Sequence, residues 1–107
     1  MSFDCSEHGK YKVLHLTGEV DLSNSAEVRK CLLNIIEKNY PVIVDFSQLK
    51  YIDSSGMATL VEGLNLAKNK KLSLTICGAT GAPLQVLELT RLNQVFTMIE
   101  TLEELSA

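Results

Sequence analysis

Cysteine is scarce, and nothing in its pattern suggests pairing. Cys5, Cys31 and Cys77 are an odd count at wide spacings with no Cys-x-x-Cys pair. This fits neither a disulfide framework nor a zinc site and points to a reducing compartment. Concentrated positive charge is also missing. The formal net charge is −3 and the densest basic run is Lys68-Asn69-Lys70-Lys71, so the electrostatic footprint needed to hold a phosphate backbone is absent and nucleic acid is not expected as a partner. No apolar run approaches the roughly 18 residues of a spanning helix. The first eight residues, Met1 to His8, have neither the basic start nor the apolar centre of a secretion signal. The expectation is a cytoplasmic protein with no direct membrane insertion. Its 107 residues, 46% apolar and 21% charged, suit one folded domain over 1–107 and not a disordered chain.

What is present alternates between strand and helix signatures. A short first strand leads into a turn at His8-Gly9-Lys10, and Tyr11 to Thr17 alternates around Leu14, His15 and Leu16, which predicts an opening hairpin. Ser23 is a suitable N-cap for a helix whose apolar residues Val28, Leu32, Ile35 and Ile36 fall at helical spacing, ending near Lys38-Asn39 ahead of Pro41. Val42-Ile43-Val44-Asp45-Phe46 reads as a central strand buried on both faces. From Ser55 onward Met57, Leu60, Val61, Leu64 and Ala67 form the stripe of a second helix, which the lysine run closes with favourable charge at its carbonyl end. Residues 72–77 alternate again, with Leu72, Leu74 and Ile76 on one face and Ser73 and Thr75 on the other, and stop at Gly78. Pro83 opens a third helix with Leu84, Val86 and Leu87 as its apolar surface and Asn93 as a left-handed cap before the strand Val95 to Ile99. Leu102 to Leu105 suits a short acidic helical turn. The order β-β-α-β-α-β-α-β predicts a small α/β layer fold with a mixed, mostly parallel sheet.

Asp53-Ser54-Ser55-Gly56 falls between a strand and a helix, where α/β proteins display functional loops. Two readings stand here. Asp53 or Ser54 caps the second helix, or Ser54 is a phosphorylation site. A hydroxyl at a helix start is exposed, and the dipole and first-turn amides would accommodate the roughly −1.5 to −2 charges of a phosphate. In the second case the fold would survive while binding to a partner fails. A hundredfold loss of affinity corresponds to only about 2.7 kcal/mol.

Nearly end to end, the chain resembles the anti-sigma factor antagonists, a bacterial family whose fold is called the STAS domain. The resemblance is carried by Gly18-Glu19-Val20-Asp21, by Val44-Asp45-Phe46-Ser47, by Tyr51-Ile52-Asp53-Ser54-Ser55-Gly56-Met57 and by Leu89 to Phe96. It implies a non-enzymatic, phosphorylation-controlled regulator of transcription in which Ser54 accepts the phosphate. Asp21, Asp53, Ser54, Ser55, Gly56 and Met57 would then form the partner-binding surface. The implied partner is an anti-sigma factor that is itself a serine protein kinase, with a metal-dependent serine phosphatase reversing the mark. ATP belongs to the kinase, and this chain needs no cofactor or metal. Where many members carry Gly-Leu-Gly, this chain has Gly56-Met57-Ala58, and Ala58 slightly firms the helix start. The alternative is a non-catalytic STAS subunit of an ABC-type lipid transport complex.

Other residues read more plainly. Asp21 either favours the start of the first helix or, by the resemblance, sits beside Ser54. Met57 belongs to an apolar stripe and serves the core or a partner groove. Asp45 and Asp53 have no histidine near them in sequence for acid–base work, His15 reads as a packed strand residue, and the Gly-x-Ser-x-Gly elbow of a serine nucleophile is missing. Cys31 and Cys77 read as small buried hydrophobes.

Overall fold

The computed structural model of the protein describes residues 3–105. Gly9 and Lys10 close a hairpin between β1 (Cys5–His8) and β2 (Tyr11–Val20), with Gly9 at φ +60 as the tight turn requires. β3 (Val42–Ile52), β4 (Leu74–Cys77) and β5 (Thr97–Ile99) continue parallel to β2, giving a five-stranded sheet of order β1-β2-β3-β4-β5. Three helices, α1 (Ser25–Glu37), α2 (Ser54–Asn69) and α3 (Gly81–Leu89), connect the parallel strands. Because β2 to β5 follow one another across the sheet in sequence order, right-handed crossovers bring all three helices to the same face.

The two faces of the sheet therefore have different company. On the helix side Leu14, Leu16, Val42, Val44, Phe46, Leu74 and Ile76 meet Val28, Leu32 and Ile36 of α1 and Met57, Leu60, Leu64 and Ala67 of α2 in the main core. On the other side Val13, Ile43 and Cys77 form a smaller cluster under Tyr11, Ile99, Leu102 and Leu105. A 3-10 turn over Leu102–Glu104 supplies that cover. It is anchored by His8 Nε2 at 2.9 Å from the Leu105 carbonyl, and Glu104 Oε2 accepts the N–H groups of Glu100 and Thr101 at 2.7 and 3.0 Å. Across the surface of the helix layer, Arg29 and Glu62 join α1 to α2 through two parallel bonds of 2.7 Å.

Several boundaries differ from those the sequence suggests, each for a local reason. The first helix starts later, with Asn24 at its cap position, because the Ser23 hydroxyl and N–H both turn back to Asp21 Oδ1. β3 runs on to Ile52 rather than ending at Phe46, since Gln48 to Ile52 still pair with β2. β4 begins at Leu74, two residues after Leu72, and its supposedly polar face is buried, Thr75 being 2% exposed between β3 and β5. The left-handed residue after α3 is Arg91 at φ +61, and Asn93 sits inside a 3-10 turn over Leu92–Gln94. Of the two cysteines read as buried, Cys77 is, while Cys31 is half-buried against the main core.

Candidate functional site

Beyond Asp45, β3 has no further partner on its β4 side. Its last residues pair with β2 alone, Gln48 to Ile52 against Thr17 to Val20, as a two-stranded ribbon. The register shifts on either side of the Thr17–Gly18 step, and Gly18 absorbs the irregularity at φ +66, a conformation that favours glycine. At the tip of this ribbon the chain leaves β3 for α2, and the Asp53 N–H closes onto the Val20 carbonyl at 3.1 Å. The segments Gly18–Asp21 and Asp53–Gly56, far apart in sequence, are thus adjacent in the fold. Gly18, Glu19 and Val20 belong to β2 itself, so only Asp21 opens the loop.

Asp53 caps α2. Its backbone is extended, φ −100 and ψ −174, and Oδ1 accepts the N–H groups of Ser55 and Gly56 at 2.9 and 3.2 Å and the Ser55 hydroxyl at 2.5 Å. The Ser55 hydroxyl, followed by the N–H groups of Gly56, Ser55 and Leu22, holds the Asp53 carboxyl below the ordinary carboxylate range against a smaller effect of burial. Of the two possible caps, Asp53 has taken the role and Ser54 has not. Ser54 occupies the first helical position, exposed, with no side-chain hydrogen bond among the described residues. The first-turn amides of Ser55 and Gly56, which the sequence reading offered to a phosphate, are already bound to Asp53.

The neighbouring loop is equally fixed. Asp21 binds Ser23 through its carboxylate, its N–H donates to Asn24 Oδ1 at 2.9 Å, and Asn24 Nδ2 reaches back to the Glu19 carbonyl at 2.8 Å. These bonds leave Leu22 on the outside, 81% exposed, while its N–H faces the Asp53 carboxylate. The sequence reading missed Leu22. The available signal was an aliphatic residue inside the otherwise polar run Asp21-Leu22-Ser23-Asn24. Met57, in contrast, is 5% exposed and packs in the main core. Gly56 is buried where a β-carbon would stand 2.6 Å from Ile52 Cγ1 and 2.8 Å from Val20 Cγ1. These two residues set the height of α2 against the ribbon, and the surface itself consists of Asp21, Leu22, Asp53, Ser54 and Ser55.

Elsewhere, Asp45 does not approach Asp53. It faces His15, whose Nδ1 lies 2.7 Å from Asp45 Oδ2, a pairing the sequence reading did not foresee. A cleft of about 780 Å³ at the carboxyl ends of β4 and β5, lined by Ser47, Gly78, Thr80, Leu84, Ile99 and Glu104 among others, contains none of the residues around Ser54. Among the described residues no three metal-binding side chains come together, and no helix is long and apolar enough to cross a membrane.

Residues 2–105 match the family model of the STAS domain. The chain belongs to the STAS domain family. Solved structures agree on the fold. A crystal structure of an anti-sigma factor antagonist from Mycobacterium paratuberculosis superposes with a TM-score of 0.82 at 18% identity, over 96% of this chain and 88% of that one. The Bacillus cell fate determinant SpoIIAA in its phosphorylated form gives 0.75 at 20% identity, over 96% and 95%. The anti-sigma factor antagonist SpoIIAA in its unphosphorylated form gives 0.72 at 16% identity, over 94% and 88%. This STAS chain thus resembles a protein whose phosphorylated and unphosphorylated forms both match the same architecture.

Proposed function

We propose that the protein is an anti-sigma factor antagonist that works by switching partners. With Ser54 unmodified, the surface formed by Asp21, Leu22, Asp53, Ser54 and Ser55 docks on an anti-sigma serine kinase and releases the kinase's own target. Phosphorylation of Ser54 ends that contact, and a metal-dependent serine phosphatase restores it. The chain contributes binding, and the kinase brings the ATP.

The observation that carries this reading is the division of labour at the start of α2. Asp53 satisfies the first-turn amides, so the Ser54 hydroxyl is exposed and spare. A phosphate added there lies at the favourable end of the helix dipole, yet it must stand outward because Asp53 already holds the amides beneath it. The fold loses nothing by the modification. A docked partner would meet a dianion next to the Asp53 carboxylate, where desolvation and like-charge repulsion weaken binding. The test is the affinity of Ser54→Ala and Ser54→Asp for the cognate kinase. Ser54→Ala should bind as the parent does and Ser54→Asp about a hundredfold more weakly, equivalent to about 2.7 kcal/mol. Equal, tight binding by both variants would remove the basis for the proposal.

A further inference from the structure

Three side chains from three adjacent strands form one hydrogen-bonded line on the sheet face away from the helices. His15 on β2 meets Asp45 Oδ2 through Nδ1 at 2.7 Å and Ser6 Oγ through Nε2, also at 2.7 Å. The sheet registers put them there. His15 pairs with Asp45 across the parallel β2–β3 ladder, and Ser6 pairs with Val13, which places it diagonal to His15 on the same face.

The chemistry of the line follows from Asp45. Burial alone would raise its carboxyl, but the Ser47 N–H at 2.9 Å on Oδ1, the hydrogen bond from the His15 ring and the Ser47 hydroxyl outweigh burial and hold it below the ordinary carboxylate range. As an ionised carboxylate it can only accept, so the proton of a neutral His15 ring resides on Nδ1 and Nε2 presents a lone pair. The Ser6 hydroxyl then donates to Nε2. A hydroxyl on one imidazole nitrogen and a carboxylate on the other is the arrangement in which histidine serves as general base to a serine nucleophile. β1 is an edge strand and Ser6 is exposed, so a reagent reaches Oγ directly from solvent.

We propose that Ser6 is a base-activated nucleophile and a covalent modification site for activated acyl donors, namely aryl esters and thioesters. His15 is its general base and Asp45 the residue that positions His15. Ser6 Oγ forms a bond to the carbonyl carbon as its proton passes to His15 Nε2, and the Asp45 carboxylate steadies the resulting imidazolium. The tetrahedral adduct collapses by breaking the bond to the leaving oxygen or sulfur. That atom takes the proton from His15 and departs as a phenol or thiol, leaving an ester on Ser6. Water deprotonated by His15 later hydrolyses the ester to a carboxylic acid and the free serine.

The test uses a fluorophosphonate probe on the full chain. Its phosphorus bonds to an activated serine oxygen as fluoride leaves, and the serine proton is lost through His15. One probe per chain is expected, mapped by tandem mass spectrometry to the peptide bearing Ser6 and abolished in Ser6→Ala. His15→Gln should slow labelling at least about a hundredfold, the scale of a general base. Asp45→Asn should lower the limiting rate without changing the probe concentration at half-maximal rate, and Asp45→Glu should recover part of it, a split that loss of packing would not produce. Circular dichroism on each variant confirms an intact fold. A parent protein unlabelled at Ser6, or Ser6 labelled equally fast in a folded His15→Gln protein, would overturn the proposal.

Discussion

Replacing Gly56 by alanine tests how tightly the start of α2 is set against the β2–β3 ribbon. The added methyl would stand 2.6 Å from Ile52 Cγ1, 2.8 Å from Val20 Cγ1 and 2.9 Å from Ile52 Cδ1, whereas carbon atoms in contact sit about 3.5–4.0 Å apart. Both Cγ1 atoms are attached directly to the Cβ of a β-branched residue with little freedom at χ1, and both residues are in the core, 1% and 0% exposed. The first turn of α2 must therefore move. Overpacking costs about 1–3 kcal/mol in general, and three contacts below 3.0 Å put the cost here in the upper part of that range, about 2–3 kcal/mol, while the better helix propensity of alanine returns at most about 1 kcal/mol. The net loss is about 1–2 kcal/mol, which for a domain of this size lowers Tm by roughly 4–16 °C. Gly63→Ala is the comparison: its β-carbon would lie 2.5 Å from Leu32 Cδ2 and 3.0 Å from Leu32 Cγ, atoms of a side chain that is not β-branched and has two χ angles to adjust, so its Tm should fall less. Thermal melts followed by circular dichroism decide the matter. A Gly56→Ala protein that melts at or above the parent would refute the packing argument.

The other expectations concern the surface and the far face of the sheet. Leu22→Asp should leave Tm unchanged, since the side chain is 81% exposed, while reducing affinity for the kinase at least about tenfold by titration calorimetry, because it places an unpaired carboxylate in the contact. Ser54→Asp should melt within about 0.5 kcal/mol of the parent, the range of surface substitutions; a larger loss would mean that Ser54 supports the fold. Because the folded Asp45 carboxyl is depressed, the stability it contributes is full above the ordinary carboxylate pKa of about 4 and fades as pH falls through its lower folded value. The Tm gap between the parent and Asp45→Asn should accordingly narrow from about pH 6 to about pH 3, and a gap constant over that range would contradict the role given to its hydrogen bonds. Arg29→Ala should lower Tm slightly at low salt and not at high salt, because the Arg29–Glu62 pair is half exposed.

Much of this architecture was legible because the short-range signals agree with one another. Helical stripes such as Val28, Leu32 and Ile36, and the apolar run Val42 to Val44, name their elements by period alone, and strand–helix–strand alternation then dictates parallel neighbours. The extension of β3 was hidden because Ser47, Gln48 and Lys50 are polar, as befits a ribbon with one neighbour and much solvent. At helix starts, composition names the kind of cap but not its bearer. Asp21 draws Ser23 away from α1, and Asp53, one residue ahead of Ser54, takes the amides of α2. Ser54 itself was identified by its place between strand and helix and by family resemblance, whereas the exposure of Leu22 and the burial of Met57 needed the fold. The Ser6–His15–Asp45 line was invisible for a different reason. Its members lie 9 and 30 residues apart, and only the registers of two ladders, one antiparallel and one parallel, bring them together.

The switch at Ser54 is tested most directly by incubating the protein with its cognate anti-sigma serine kinase and ATP, locating the phosphate by mass spectrometry, and titrating the kinase with modified and unmodified protein. The expected result is a single phosphate on Ser54, an unchanged circular dichroism spectrum and an affinity lower by about a hundredfold, or about 2.7 kcal/mol. A phosphate on Ser55 instead, or equal affinity of the two forms, would contradict it.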